Sequence, residues 1–414
     1  MKALFSRSPF VKNLLILLTG TAAGQLISIA SLPILQRLYP PGDFAILQLL
    51  VSFSSILAAF ASLKFEYAIM IANDDESKVL TRLSFFSVFF FGIMAFPFLA
   101  LTSSIVFPNV SESDKVLLTI LIPLTASFMS LNEVLSFRLN RDNQYKKMAV
   151  AKLSQNLAME SFRFLSIVTL KIPGALLIGR LVGFFSSFIY AVRFVNLKLS
   201  NISLSVLWAT AKKYRQFALF TAPTVLITAF TNYYFYFYFV ERFGVSTTGI
   251  IGVANQYITL PLGLIAGSFS QVFYGKISLT SDKNSLLDLY KKFAMQLTLV
   301  GTLLATIVIA IPSWVFPLIL GDRWADLGYF VKLTVVWQVI AFVSSCLSFI
   351  YSRLNKQNIM LWFASLQLAL VYLSLSIGSA KSLSSNETFV LYTCFQSVYY
   401  TITILLAIHL IKRM

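Results

Sequence analysis

The chain has 414 residues, 57% of them hydrophobic and 12% charged, with a mean hydropathy of +0.79. Ordinary soluble domains carry about 25% charged residues, so this composition excludes a water-soluble globule. The net charge of +17 does not point to nucleic acid, because the basic residues fall in short clusters between long apolar runs, the distribution of inner-side membrane loops.

A membrane span needs about 20 apolar residues, and about twelve such stretches follow one another. They run near 13–36, 44–71, 83–106, 116–137, 148–170, 174–195, 216–240, 248–273, 289–311, 328–351, 358–379 and 388–410. The first follows Lys2, Arg7 and Lys12 and is too long for a signal-peptide core, so it is expected to be retained. No soluble domain fits between spans. The longest interruption, Arg193 to Arg215, has room for one amphipathic segment.

The basic residues set the orientation. With a cytoplasmic N-terminus, 24 of the 33 Lys and Arg fall on inside ends and loops and 8 outside, with Arg163 mid-span. This bias places both termini in the cytoplasm. Six spans per half, divided as 1–200 and 201–414, make parallel repeats about an axis along the membrane normal, with a central cavity expected at their interface. A tract repeated 215 residues apart supports the duplication: Arg138-Leu139-Asn140-Arg141-Asp142-Asn143 and Arg353-Leu354-Asn355-Lys356-Gln357-Asn358 agree in type at five of six positions. Each stands between the fourth and fifth span of its half. The fold expected is an all-α integral membrane protein of two six-helix bundles.

Chemistry-bearing residues are few. Cys346 and Cys394 lie in apolar runs, and the one histidine, His409, stands near the C-terminus. They give no disulfide framework, metal spacing or hydrolytic triad, and no Gly-rich phosphate loop with a following Lys-Ser/Thr is present. The expectation is a non-enzyme without metal or cofactor.

Polar groups inside spans then carry the functional reading. Glu160 and Arg163, three apart in the fifth span, share a helix face. They are either a structural pair or a cavity-lining group in which Arg163 faces an anionic substrate, since Arg binds phosphate oxygens bidentately and keeps its charge. Arg180 in the sixth span is a second cationic candidate. Gln25 in the first span, Asn232 in the seventh, and Asn255 and Gln256 in the eighth are further lining candidates, with helix–helix hydrogen bonding as the plainer role. Lys64, Glu66, Glu133, Arg138 and Arg353 cluster at cytoplasmic span ends as gate candidates. Lys64 and Glu66 are two residues apart, so a helix would point them to different faces; each then reads as an interfacial anchor. Glu133 is expected to pair with the basic residues of its own loop. The aromatic run 232–239 reads first as an interfacial belt, with sugar stacking as the alternative.

The stretches Leu32-Pro33-Ile34-Leu35-Gln36-Arg37-Leu38-Tyr39-Pro40-Pro41-Gly42-Asp43-Phe44, Ala61-Ser62-Leu63-Lys64-Phe65-Glu66-Tyr67-Ala68-Ile69 and Asn73-Asp74-Asp75-Glu76 resemble the Wzx-type polysaccharide repeat-unit flippases of the multidrug/oligosaccharidyl-lipid/polysaccharide exporter superfamily. Gln271-Val272-Phe273-Tyr274 and the Arg-Leu-Asn tract fit the same family. The chain departs from it at Ala45, where a glycine is expected. The resemblance implies alternating-access transfer of an undecaprenyl-diphosphate-linked O-antigen or other oligosaccharide unit across the bacterial inner membrane, through a cationic lumen. It implies a lipid-linked oligosaccharide substrate, membrane lipids, and glycan polymerase and chain-length proteins as partners, with the chain working as a monomer. The alternatives weighed are a proton- or sodium-coupled multidrug antiporter of the same fold, a cell-wall lipid-precursor flippase, and a glycosyltransferase or polymerase of the same pathway.

Overall fold

The structure, a computed structural model, describes residues 9–170, 172–195, 203–280, 282–354 and 356–413. Among these residues every regular element is a helix. In chain order they are α1 (Pro9–Leu38), α2 (Pro41–Ala61), α3 (Phe65–Ile69), α4 (Asp74–Val106), α5 (Glu112–Arg141), α6 (Tyr145–Leu165), α7 (Ala175–Val192), α8 (Leu204–Lys213) and α9 (Ala222–Leu279). There follow α10 (Lys283–Ala310), α11 (Val315–Leu320), α12 (Leu327–Leu347), α13 (Phe349–Arg353), α14 (Gln357–Ala380) and α15 (Ser385–Lys412). Two π-helical turns, Ser166–Leu170 and Phe217–Thr221, follow α6 and precede α9.

Polar residues set where these apolar helices start. Asn73, Ser111 and Asp282 each accept the backbone N–H three residues on, and Ser384 with Glu387 completes a capping box; such caps satisfy donors that a helix start leaves unpaired. Among the described residues nine helical stretches are long and apolar enough to cross a membrane. One of them, Phe217–Gly267, is two helices joined at Gly244, whose φ of 81° and ψ of 171° break the helical path. That region of backbone space is open almost solely to glycine. With α1 and α6, which have spanning length, the set reaches twelve, and each coincides in order with one expected span.

The chain divides into two compact units, Met1–Tyr39 with Ile46–Tyr233, and Pro40–Ala45 with Tyr234–Met414. In the first unit, α6 packs between α1 and α7 through glycines. A Cβ on Gly20 would stand 2.5 Å from that of Ala149, and one on Gly183 would stand 2.8 Å from the Gln155 carbonyl oxygen. Small residues at such seams let helices approach closely enough for dispersion to hold them in lipid. Between α2 and α3 the backbone turns through Leu63 and Lys64 at φ 52° and 56°, left-handed conformations that cost about 1–2 kcal/mol each outside glycine.

In the second unit Phe235, Tyr236 and Phe239 of the aromatic run are core, which corrects the expectation of an interfacial belt at those three positions, while Tyr234, Phe237 and Tyr238 are half-buried. Phe235 and Phe239 are almost fully buried, lie 4.2 Å apart in a stack, and meet Phe389 at 5.8 and 6.4 Å. At helical spacing they share one face, and that face is turned inward. The segment 40–45 belongs to this unit, with the buried Phe44 ring edge-on to the buried Trp324 at 5.3 Å.

Candidate functional site

The Glu160–Arg163 pair sits where α1, α6 and α7 pack together in the first unit. Arg163 is 5% exposed and donates its Nε to the Leu176 carbonyl at 3.0 Å, while its Nη1 stands 3.4 and 3.5 Å from the Glu160 oxygens. Its stem lies on α7 at Gly179, where a Cβ would fall 2.6 Å from Arg163 Cγ. Tyr39 donates its hydroxyl to the Arg163 backbone carbonyl at 2.9 Å. From α1, the Ser28 hydroxyl reaches Glu160 Oε1 at 3.1 Å and Asn156 Oδ1 at 3.3 Å. The π-turn begins three residues after Arg163, a helical irregularity frequent at functional positions.

Of the two roles left open for this pair, these contacts describe the structural one: the guanidinium is engaged by its own bundle. Glu160 faces two ways, since it also lines an open cavity of about 310 Å³ with Ser31, Ile34, Leu35, Ser161 and Phe164.

Two further cations lie in the same bundle, Arg180 beside the pair and Lys152 near Arg180. Arg180, half-buried on α7, is close enough to act electrostatically on Arg163, Lys152 and Glu160, and its guanidinium lies 5.2 Å from the Phe184 ring centre. Lys152, on α6, is half-buried and donates to Gln155 Oε1 at 3.1 Å. This part of the first unit therefore holds three cations, Lys152, Arg163 and Arg180, and one carboxylate, Glu160. Sequence reasoning passed over Lys152 by counting it with the inside span ends and loops; it stands inside α6, two turns before Glu160. Gln25 is half-buried on α1 and Asn232 is exposed. Asn255 and Gln256 are half-buried in the second unit, where the Asn255 amide donates to the Tyr236 hydroxyl at 2.8 Å.

The gate candidates give two corrections. Lys64 and Glu66 do pair, at 3.1 Å. The separation that helical geometry demands does not apply, because Lys64 lies in the left-handed turn before α3. Neither is an interfacial anchor, for Lys64 is 2% and Glu66 0% exposed. Glu133 pairs with Lys64, 3.0 Å from each oxygen, and not with its own loop. The repeated tract closes a helix in each unit. Arg138 reaches Ser77 and Asp142, and Arg353 reaches the carbonyls of Ile277 and Thr280 at 3.1 Å; Asn355 lies outside the described residues. Nearby, Glu76 accepts Lys213 Nζ at 2.5 Å and the Tyr214 hydroxyl at 2.8 Å. That bond raises the pKa of the Lys213 ammonium above its ordinary value.

Residues 34–328 match the family model described as polysaccharide biosynthesis protein. The chain belongs to this family. Its fold is that of transporters of the MOP superfamily, the multidrug/oligosaccharidyl-lipid/polysaccharide exporters. It is similar to the inward-facing structure of a multidrug resistance MATE family transporter, at 13% identity over 94% of this chain and 96% of that one, with a TM-score of 0.71. It is similar also to the inward closed lipid II flippase MurJ, at 14% identity over 96% and 87%, with a TM-score of 0.68. A MOP superfamily transporter from Pyrococcus furiosus, described as having a binding pocket of reverse polarity that suggests a different function, matches at 13% identity over 97% of both chains with a TM-score of 0.61. No curated protein matches this member of the family in sequence. The expected kinship with polysaccharide biosynthesis proteins and the expected all-α membrane fold are thus both borne out.

Proposed function

We propose that the protein is a flippase that moves an undecaprenyl-diphosphate-linked oligosaccharide across the bacterial inner membrane by alternating access, with both termini cytoplasmic and no catalytic chemistry of its own. The family supports a role in polysaccharide biosynthesis. The observation that carries the substrate class is the excess of cations in the first unit, where Arg163 and Arg180 act on a single carboxylate, Glu160, and Lys152 adds a third cation near Arg180. A diphosphate headgroup needs fixed positive charge that desolvation does not remove, and guanidinium supplies it. Arg163 holds the helix seam and keeps Glu160 paired. Arg180 and Lys152, less engaged by hydrogen bonds, are the groups that meet phosphate. Gln25 and Ser28 add neutral donors for sugar hydroxyls from α1.

A multidrug antiporter of the same fold would bind cationic drugs at an acid that exchanges a proton or sodium ion. Glu160 is the one acid of this cluster, and with a guanidinium beside it the local field repels cations.

The test is reconstitution into proteoliposomes with a lipid-linked oligosaccharide of the host's own glycan, scored by access of an external probe to the sugar. The wild type moves the glycan lipid, Arg180→Ala and Lys152→Ala slow it by about tenfold or more, and Arg180→Lys falls between, as loss of one charge-assisted contact of about 1.5–3 kcal/mol requires. Unchanged rates in both alanine variants, or efflux of cationic dyes with no glycan movement, would overturn this reading.

A further inference from the structure

The first unit also holds a cleft that the Glu160 cluster does not use. Its walls come from α2, α4 and α5 and from Leu226 near the start of α9, and it encloses about 410 Å³. All of these residues belong to the first unit. Ser127 supplies the one polar side chain among the lining residues, and the rest is hydrocarbon.

Small residues hollow this cleft and rings border it. Gly92 lets α4 close on α5, for a Cβ there would stand 2.5 Å from the Ser127 hydroxyl oxygen. Ala95, one turn further along α4, and Ala126 on α5 line the space beside that contact. Phe60 and Phe91 stand edge-on at 5.0 Å, and the exposed Phe98 and Met94 form the rim.

Depth decides what can enter. Phe91 stands 17 residues from the start of α4 and 15 from its end, and Ser127 stands 15 and 14 from those of α5. At 1.5 Å per residue, about 20–25 Å of helix runs from the cleft to either end. Half the hydrocarbon layer of a bilayer is about 15 Å. The cleft therefore lies near the membrane centre, beyond the reach of headgroups and sugars. Water is disfavoured as well, because apolar cavities stay dry. What fits is a hydrocarbon chain.

Two sources of chain are at hand, the acyl tails of bulk lipid and the polyprenyl tail of the transported lipid. Three arguments favour the second. Met94 offers a flexible, polarisable thioether that adapts to an irregular, methyl-branched chain. A polyprenyl chain carries a rigid double bond in every unit, so it loses less rotational freedom on being held than a saturated chain does. Its diphosphate head is held by cations of the same unit, which turns entry of the tail into an intramolecular step; a free acyl chain has no such tether. A dry cavity of about 150 Å³ holds one benzene ring, so this cleft has room for about 16 carbons, or about three isoprene units.

We propose that the cleft between α2, α4 and α5 seats the polyprenyl tail of the substrate, holding about three of its isoprene units while the diphosphate head meets Arg180 and Lys152. Head and tail are then carried by one unit. The identity of the chain rests on the flippase reading, whereas the preference of the cleft for prenyl over acyl chains is measurable without it.

The experiment uses two photoreactive probes in phospholipid nanodiscs: undecaprenyl phosphate with a diazirine in its chain, and phosphatidylglycerol with a diazirine in one acyl chain. Mass spectrometry should find the prenyl probe on Met94, Phe98 and Ser127, suppressed by excess unlabelled undecaprenyl phosphate and not by excess phosphatidylglycerol. Ala95→Phe from α4 and Leu57→Trp from α2 fill the cleft and should lose that labelling. Leu101→Phe adds the same ring on the exposed side of α4 and should keep it. Thermal midpoints of all three variants separate a filled cleft from a lost fold, and two fillers on different helices allow for one that fails to fold. In proteoliposomes the fillers should raise the half-saturating mole fraction of glycan lipid severalfold. Labelling by the acyl probe that undecaprenyl phosphate does not displace overturns the proposal, as do fillers that fold and transport like the wild type. Specific prenyl labelling in a protein that moves no glycan lipid upholds the tail site and removes the flippase reading instead.

Discussion

Replacing Arg163 with leucine tests the packing account of the α1–α6–α7 seam directly. The change removes the 3.0 Å bond to the Leu176 carbonyl and the cation hydrogen-bonded to Glu160, whose carboxylate then keeps the Ser28 hydroxyl at 3.1 Å and the more distant charge of Arg180. Breaking one partner of a buried ion pair costs about 3–5 kcal/mol, because the other is left charged and unpaired. Glu160 also borders an open cavity of about 310 Å³ through which water can hydrate it, so the lower end, about 3 kcal/mol, is the expectation. That is a loss of more than a hundredfold in the ratio of folded to unfolded protein.

The double variant Glu160→Gln/Arg163→Leu has no stranded charge. Its cost should fall to that of lost neutral hydrogen bonds, which in membranes average about 0.6 kcal/mol and reach about 1.7 at most. Equilibrium unfolding in mixed micelles measures both. A single variant that costs under about 1 kcal/mol, or a double variant no more stable than the single, refutes the claim that this arginine is held by its own bundle and neutralises a buried acid.

Three further outcomes are expected. Gly249→Ala would place a Cβ 1.8 Å from the Pro41 carbonyl oxygen, a backbone clash that should cost about 3 kcal/mol or more and lower the yield of folded protein on size-exclusion chromatography. Gly244→Ala meets no neighbour, so its penalty should be conformational alone, about 1–3 kcal/mol, read as a lower thermal midpoint with transport retained. At the start of α10, Ser285 N–H donates to the Asp282 carboxylate at 2.8 Å and holds that carboxyl below its ordinary pKa. The cap's contribution is therefore present above the ordinary carboxylate range and lost as pH falls through the lowered value. Amide exchange over 283–286 should speed up in acid, and in Asp282→Ala at neutral pH.

The spans were legible in the sequence because bilayer thickness imposes a length that a count of apolar residues detects. Even α6, interrupted by Lys152, Glu160 and Arg163, declared itself by its place in the order. The site was legible only as residue types. Glu160 and Arg163 stood out as mid-span charges, but nothing local could show that Gly179 and the Leu176 carbonyl would absorb the guanidinium. Lys152, four residues into its span, was counted as an inside span end because basic residues there usually snorkel to the interface. The Lys64–Glu66 contact was misread for a plainer reason. Helical spacing was assumed through a turn whose two left-handed residues, leucine and lysine, carry no glycine to announce it. Phe235 and Phe239 show the same limit from the other side, since an aromatic-rich span end has equal composition whether it faces headgroups or a core.

The six residues 40–45 follow the first span in the chain yet fold with the second unit, their Phe44 ring edge-on to Trp324. Cutting the gene at codon 233 would therefore not yield two self-sufficient fragments. The downstream piece would lack the plug that seals its tryptophan, and the upstream piece would display a greasy finger with no glove. Co-expressed fragments should find each other through that missing part, which makes a split protein a practical reporter of assembly.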